Sequence, residues 1–138
     1  MVVVGCESTV QTLANLERER ECVINLPKSE LMDKIEALAL LIRRNPLALH
    51  KADRFRYEPR KFEAAGLTLT PAQIVRPPQI RECPMQREVR VTATYRLQSK
   101  QGELYRVVEA QVEHIHAIPE IKESGTQHID MEHWGLPL

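Results

Sequence analysis

A long hairpin in the second half of the chain is the feature that most constrains the fold. Apolar residues recur at every second position of the first arm, at Val89, Val91, Ala93, Tyr95 and Leu97. The residues between them are polar and are expected on the opposite face of the strand: Glu88, Arg90, Thr92, Thr94 and Arg96. A turn over 99–102 leads into a return strand from Leu104 to His116, with Val108, Ala110 and Val112 on its inner face. Two long alternating strands favour an antiparallel sheet or barrel over a parallel sheet.

The segment from Gly5 to Pro27 predicts a turn, an amphipathic helix and a strand. Ser8 and Gln11 have the spacing of a capping box, in which each side chain satisfies the backbone N–H of the other residue. The helix that follows has one apolar face, formed by Val10, Leu13 and Ala14. The start of such a helix suits a phosphate group, because its free N–H groups and positive dipole end point outward. The alternative is an ordinary capped surface helix.

Shorter elements are predicted on both sides of the hairpin. Val2–Val4 and Cys22–Leu26 have the pattern of strands, and Ser29 is placed to cap a second helix. The apolar face of that helix is Leu31, Ile35, Leu38 and Ile42, and Asn45-Pro46 ends it. We expect 47–60 to be irregular, 61–65 to form a short helix ended by Gly66, and Asp130 to cap a last helical turn near Trp134.

Composition limits the class of protein. The chain has 138 residues, which fits one domain, and its formal net charge is zero, which argues against a general nucleic-acid binder. Three widely spaced cysteines favour reduced thiols in a cytoplasmic protein over a disulfide framework or a zinc site. No run approaches the length of a membrane span. Basic residues concentrate in 43–61 and acidic residues in 101–138, an asymmetry that can help two copies attract each other.

A metal site is a minor alternative for the end of the return strand. His114, His116 and Glu120 have the H-x-H-x3-E spacing seen in cupins. Such a site needs a further histidine, for which His128 and His133 are available. The glycines that surround the first cupin motif are absent, so the spacing alone does not make this a cupin.

Five segments in order resemble the flavin reductase-like family, which includes flavoredoxins and the reductase partners of two-component monooxygenases. They are STVQTLAN at 8–15, CVINLP at 22–27, KFEAAGLT at 61–68, PQIRECP at 78–84 and the strand at 109–116. Each motif is weak alone, but five in the right order are fairly specific. The resemblance implies a mainly β protein: an antiparallel FMN-binding split β-barrel with two to three helices.

The resemblance also implies the residues of a cofactor site. They are Ser8, Gln11, Thr12, Asn15, Lys61 and His116. The hydroxyls of Ser8 and Thr12 would bind the FMN phosphate, and Gln11 stands where many relatives have a basic residue. Asn15 would support the phosphate-binding residues without touching the phosphate itself, or it would be a polar surface residue. Lys61 would lie near the cofactor or begin a solvated helix, and His116 matches the histidine that ends the family's return strand.

The implied activity is an FMN oxidoreductase that passes electrons from NADH or NADPH to flavin, with no catalytic acid or base required. The resemblance further implies a homodimer with FMN at the subunit interface, and a possible monooxygenase partner. Relatives usually carry two or three strands before Val2 and a longer tail after Trp134, so we expect residues 1–138 to be one domain that is incomplete at both ends. The alternative function is a truncated, non-catalytic interaction module.

Overall fold

The computed structural model describes residues 1–8, 10–42, 56–57 and 60–135. The strands are β1 (Val2–Glu7), β2 (Glu21–Leu26), β3 (Leu41–Ile42), β4 (Arg56–Tyr57), β5 (Leu69–Thr70), β6 (Gln79–Ile80), β7 (Met85–Gln98) and β8 (Leu104–Ala117). The helices are α1 (Gln11–Glu19), α2 (Met32–Ala39), α3 (Lys61–Ala64) and α4 (Met131–Trp134). Ser29–Leu31 and Pro119–Ile121 form single 3₁₀ turns. The two long arms β7 and β8 confirm the predicted hairpin.

The main sheet has four strands in the order β1-β8-β7-β2, and β1 pairs with β8 in antiparallel register. Two further sheets have two strands each, β3 with β4 and β5 with β6. The β3–β4 pair is parallel. The strands dominate, so the predicted mainly β class is confirmed.

The chain divides into two compact units, the first comprising Met1–Ile24, Pro71–Gln79 and Arg87–His116. Its core lies where α1 packs on the sheet, and the buried residues are Cys6, Leu13, Leu16, Val91 and Val108. The predicted apolar face of the first helix holds only in part: Leu13 is buried and Val10 packs against the core, but Ala14 is exposed and Leu16, which was not predicted, is buried. Burial of each aliphatic side chain contributes about 1.5–3 kcal/mol.

The second unit comprises Asn25–Thr70, Ile80–Gln86 and Ala117–Leu138. One of its clusters is formed by Leu31, Ala65, Leu67, Ile80 and Cys83, and another by Met85, Ile121 and Trp134. In the described part of the chain, no helix is both long enough and apolar enough to cross a membrane.

The predicted capping box at the start of α1 is wrong. Ser8 extends the pairing of β1 with β8 by one step, because its N–H and its hydroxyl both donate to the carbonyl of Leu104, at 3.2 and 2.7 Å. The helix therefore starts at Gln11, after the extended residue Val10, which offers no capping side chain. Gln11 donates to Asn15 instead of reaching back to Ser8.

The second helix is shorter than predicted at both ends. Ser29 makes no capping bond and lies inside a 3₁₀ turn that Lys28 precedes. The helix α2 stops at Ala39, and Ile42 belongs to β3, where it pairs with Tyr57. Strand pairing to a distant segment overrides the local helical spacing here, a competition that local sequence pattern does not reveal. Of the predicted irregular segment, 47–55 and 58–59 lie outside the described residues.

Two local predictions are confirmed. Gly66 has φ 74° and follows α3, where Leu67 N–H bonds back to the carbonyl of Phe62 at 2.8 Å, as in a Schellman ending. The carboxylate of Asp130 accepts from the N–H groups of Glu132 and His133 and so caps α4.

The predicted faces of the hairpin hold only in part. Val89 and Val91 are buried, but Tyr95 and Leu97 are 51% and 53% exposed although they continue the same apolar pattern. Glu88, predicted on the solvent face, is fully buried. The face predicted to be polar is thus covered near Glu88, and the predicted inner face is open near the turn.

Arg20, the residue after α1, allows a test of backbone strain. It has φ 61°, a left-handed conformation that is unfavourable for any residue with a Cβ. Among the described residues, its side chain gains only two long contacts, both of 3.4 Å, to the carbonyls of Val91 and Thr92. We expect Arg20→Gly to be more stable than Arg20→Ala by about 1 kcal/mol, because only glycine removes the strain. Urea denaturation of both variants measures the difference, and equal stabilities would contradict the assignment of strain.

Candidate functional site

The start of α1 is an electropositive position, because the positive end of the helix dipole lies there. Its first turn contains no acidic residue, and Val10 gives it no side-chain cap. Thr12 is exposed in this turn, and its hydroxyl has no hydrogen-bond partner among the described residues. Because the first N–H groups of a helix need acceptors from outside it, this end suits an anion.

Ser8 lies beside the same helix start but is already engaged. Its single hydroxyl proton is donated to the carbonyl of Leu104 at 2.7 Å. To donate to an anion, the hydroxyl must leave this carbonyl, and the gain is then the difference between the two hydrogen bonds.

Gln11 and Asn15 are joined along the exposed face of α1. The amide of Gln11 donates to Asn15 Oδ1 at 3.0 Å, and Arg18 Nη2 donates to the same oxygen at 3.2 Å. Asn15 therefore holds the Gln11 side chain along the helix, and its role in a cofactor site stays a prediction. The same contact also suits a polar surface ladder.

At the other end of β8, His116 contacts a buried carboxylate. Its Nε2 lies 2.5 Å from Oε1 of Glu88, and the same carboxylate accepts the backbone N–H groups of Gln73 at 2.7 Å, Ile74 at 2.6 Å and Val75 at 3.1 Å. Glu88 is 0% exposed, whereas the His116 side chain is 26% exposed. One buried group therefore holds both a backbone segment and a solvent-accessible imidazole.

Burial of Glu88 would by itself raise the pKa of its carboxyl. The hydrogen bonds from His116 and from the N–H groups of Gln73, Ile74 and Val75 outweigh this effect and lower the pKa to about 2. The carboxylate is thus ionised at neutral pH and acts only as an acceptor.

A second buried carboxylate, Glu21, holds the same segment one residue further on. Its Oε1 accepts from Arg76 N–H at 3.1 Å and from Arg76 Nε at 2.5 Å, and Arg90 lies 3.5 Å from its Oε2. The hydrogen bonds from Arg76 lower the pKa of Glu21. Residues 73–76 are therefore fastened to the sheet through two ionised side chains.

The structure gives the metal alternative no support. The rings of His114 and His116 are edge to face with centroids 4.5 Å apart, and His116 is engaged by Glu88. Within the described ranges, no three side chains of the types His, Cys, Asp or Glu come together as metal ligands.

Lys61 lies in the second unit, at the first position of α3, with its ammonium 5.4 Å from the centre of the Phe62 ring. The other five predicted site residues lie in the first unit. The structure thus leaves the role of Lys61 in a cofactor site as a prediction.

The length of β8 separates the predicted site residues of the first unit into two groups. Ser8 is bonded to Leu104 at the start of this strand, and His116 stands near its end. Leu104 and His116 are twelve positions apart, and an extended strand covers about 40 Å over that length, somewhat less where it is curled. Ser8 and Thr12 are therefore far from His116 of the same protomer.

Sequence reasoning missed Glu88 and Glu21. Glu88 lies in a regular polar–apolar alternation, which assigned it to solvent, and Glu21 begins a short strand without any distinguishing pattern. The available signal was the proline-bounded segment from Pro71 to Pro78, since a crossing rich in proline needs acceptors from elsewhere for its remaining N–H groups.

Solved structures with this fold were found with high coverage of the chain. Nitrilotriacetate monooxygenase component B from Bacillus cereus matches 94% of the chain with TM-score 0.71 and 16% identity. Flavoredoxin from Methanosarcina acetivorans matches 97% with TM-score 0.62 and 16% identity. An FMN-binding domain of a flavin reductase-like enzyme from Shewanella baltica matches 91% with TM-score 0.58 and 15% identity. The chain therefore has the split-barrel fold of flavin reductase-like proteins.

In sequence, the chain is 36% identical over 117 residues to the uncharacterized protein YdfE of Bacillus subtilis (strain 168), a match that covers 84% of the chain and 56% of YdfE. The chain spans about half the length of this curated relative, and it covers 58–60% of the three structures above. No family model matches the sequence.

The residues at the start of α1 fit the phosphate of a flavin mononucleotide. The position carries the N–H groups of the first helical turn, no acid in that turn, and the hydroxyl of Thr12, which has no partner among the described residues. These are the donors that a phosphate takes at a helix start. Ser8 fits only if its hydroxyl leaves Leu104, and Gln11 supplies a neutral amide instead of a cation.

Proposed function

We propose that this protein binds FMN and passes electrons from a reduced nicotinamide to the flavin. The observation that carries the proposal is the split-barrel fold shared with an FMN-binding domain and a flavoredoxin over more than nine-tenths of the chain. The open start of α1 supports it, because it offers the donors that the phosphate needs.

In this proposal the chain binds and orients, and bound FMN would supply the redox chemistry. The N–H groups of the first turn of α1 and the hydroxyl of Thr12 hold the phosphate, and Ser8 adds a donor when it releases Leu104. Gln11, steadied by Asn15, contacts the phosphate through its amide. Lys61 and His116 are the further residues that we propose near the cofactor, with His116 contributed by the other protomer of a dimer.

Electron transfer has a direct test. With FMN present, the protein is expected to accelerate the oxidation of NADH or NADPH above the rate with free FMN alone. The absorbance of the reduced nicotinamide measures this rate. Failure to accelerate either donor, by a protein that does bind FMN, would contradict the redox part of the proposal.

We also propose that the protein is a homodimer with FMN at the subunit interface. The distance along β8 supports this arrangement: if Thr12 and His116 contact the same flavin, they belong to different protomers. An exposed apolar surface supports it too. Val3 and Tyr105 lie on one face of the β1–β8 pair, and the Tyr95 hydroxyl lies 3.3 Å from Glu109, the residue that pairs with Val3. Leu97 follows Tyr95 at the same strand parity.

These four exposed residues, Val3, Tyr95, Leu97 and Tyr105, form an apolar surface of the kind that commonly marks a protein contact. We expect Leu97→Glu to weaken dimerisation, since it puts a charge within that surface. Size-exclusion chromatography with light scattering measures the mass of each variant. A wild-type monomer at micromolar concentration would contradict the dimer.

Mixing two binding-defective variants tests whether the site is shared between protomers. Thr12→Ala and His116→Gln are each expected to weaken FMN binding when expressed alone. When they are co-expressed, half of the dimers are mixed, and each mixed dimer has one site with both wild-type residues if the site is shared. About one quarter of all sites should then regain wild-type affinity. If no high-affinity sites return in verified mixed dimers, both residues serve one protomer or one of them does not touch flavin.

A monooxygenase that accepts the reduced flavin is the proposed partner, and the cytoplasm is the proposed location. One neighbour is itself named component B of a monooxygenase. Reduced thiols agree with a cytoplasmic protein, and the three cysteines Cys6, Cys22 and Cys83 are free.

The second candidate is a non-catalytic interaction module that binds flavin weakly or not at all. The engagement of Ser8 with Leu104 favours it, because a predicted phosphate donor is used within the fold. The exposed apolar surface suits a binding role as well. A folded protein that remains colourless with added FMN and does not speed nicotinamide oxidation would favour this candidate.

A further inference from the structure

The buried carboxylate of Glu88 has four donors, two at each oxygen, and only one of the two pairs includes a side chain. Oε1 faces the N–H of Gln73 and Nε2 of His116, and Oε2 faces the N–H groups of Ile74 and Val75. A carboxylate of this kind can only accept hydrogen bonds, so Nε2 of His116 must carry a proton.

The opposite nitrogen of the ring is the one left for other contacts. In a neutral imidazole only one nitrogen carries a proton, so a proton on Nε2 makes Nδ1 an acceptor. Nδ1 has no hydrogen-bond partner among the described residues, and a quarter of the side chain is open to solvent.

We propose that Glu88 is a positioning residue that fixes the tautomer of His116 and leaves Nδ1 as an acceptor for a ligand with an amide-type N–H donor. The inference rests on the proposed function only for the ligand, since such a donor occurs in the flavin ring system and in the nicotinamide carboxamide. Glu88 acts through His116 and does not itself touch the ligand.

The substitution Glu88→Gln has a definite expected result, because a side-chain amide has one acceptor end and one donor end. If the amide NH₂ takes the place of Oε2, it faces two backbone N–H groups, which are also donors and cannot become acceptors. If it takes the place of Oε1, it opposes only the N–H of Gln73 and can donate to His116, whose ring can change tautomer. The second arrangement is better, so Nε2 should become the acceptor and the proton should move to Nδ1.

Nitrogen-15 NMR of the protein without cofactor, at about pH 8, reads this directly, because protonated and unprotonated ring nitrogens have distinct chemical shifts. We expect a protonated Nε2 in the wild type and an unprotonated Nε2 in Glu88→Gln. His116→Gln assigns the signals by their loss. His114, whose ring is close but does not bond Glu88, is the internal control and should keep its tautomer.

A wild-type His116 with the proton on Nδ1, or with no preference, would overturn the proposal even if the variant does not fold. A variant that folds and keeps the proton on Nε2 would overturn it as well. A merely structural role for Glu88 predicts a loss of stability but no reversal of the tautomer.

Ligand titrations identify the ligand that Nδ1 of His116 contacts. In Glu88→Gln the nitrogen would present a proton instead of a lone pair, and affinity for the ligand it contacts should fall about tenfold. A loss for FMN and riboflavin alike identifies the flavin ring, and a loss for NADH alone identifies the nicotinamide. An inverted tautomer with unchanged affinities would overturn the ligand contact. If the wild type binds none of these ligands, the proposed function fails, while the NMR result still decides the tautomer.

Discussion

Glu88→Ala is expected to lower the free energy of unfolding by about 3–5 kcal/mol, the largest stability effect that we expect from any exchange of a polar side chain in this protein. Removal of the carboxylate leaves the N–H groups of Gln73, Ile74 and Val75 and Nε2 of His116 without their acceptor. The site is fully buried, so water replaces these bonds poorly.

Glu113→Ala is the matched control, because it removes a carboxylate of the same hairpin that pairs with Arg90 at 2.9 Å but is 37% exposed. Its expected cost is below about 1 kcal/mol. Urea denaturation at neutral pH measures both variants. Equal losses for Glu88→Ala and Glu113→Ala would contradict the role given to Glu88 in holding residues 73–75.

Acid gives a second readout of the same group. The pKa of Glu88 is about 2 in the folded protein, lower than that of an unfolded glutamate, about 4.3. Its contribution to stability is therefore complete above about pH 4.3 and is lost as the pH falls toward 2. Over this range the wild type should lose more stability than Glu88→Gln, which has no charge to neutralise. Parallel pH profiles of urea midpoints would contradict an ionised, hydrogen-bonded Glu88.

Thr12→Ala is expected to weaken FMN binding by about tenfold to a hundredfold and to leave riboflavin binding nearly unchanged. The hydroxyl of Thr12 would donate to a charged phosphate oxygen, and such bonds contribute about 1.5–3 kcal/mol. Riboflavin lacks the phosphate and so does not use this donor. The fold should tolerate the change, because Thr12 is exposed and alanine is the better helix former.

Fluorescence titration of wild type and variant with each flavin measures these affinities. Thr94→Ala, the same exchange in β7 instead of α1, is the control and should change neither affinity. An equal loss for FMN and riboflavin in Thr12→Ala would exclude the phosphate contact and indicate a ring contact or a damaged fold.

The sequence predicted best those elements whose signals are local and strong. Alternation over ten positions, 88–97, and over thirteen, 104–116, predicted β7 and β8. A glycine at a left-handed position ended α3, and the carboxylate of Asp130 capped α4. It failed where a distant strand competes with a local preference. Ser8 donates its hydroxyl proton to the carbonyl of Leu104, and Ile42 pairs with Tyr57 in a strand. Neither partner can be predicted from the residues that flank Ser8 or Ile42.

The candidate site was predicted from a family resemblance, and its geometry depends on pairings that the sequence does not state. The return strand was predicted correctly, but it is the pairing of β1 with β8, extended by the contact of Ser8 with Leu104, that shows α1 starting at the end of β8 opposite to His116. The burial of Glu88 was not predictable from alternation, because it results from coverage by residues 73–75, which are fourteen positions away on average.

Flavin binding is the central claim, and a visible-range titration of the purified protein with FMN tests it most directly. Binding should shift and sharpen the absorption bands of FMN and should saturate at one flavin per chain. The protein should bind FMN more tightly than riboflavin, as a phosphate contact at α1 requires. A folded protein that leaves the spectrum of added FMN unchanged at all concentrations would contradict the account.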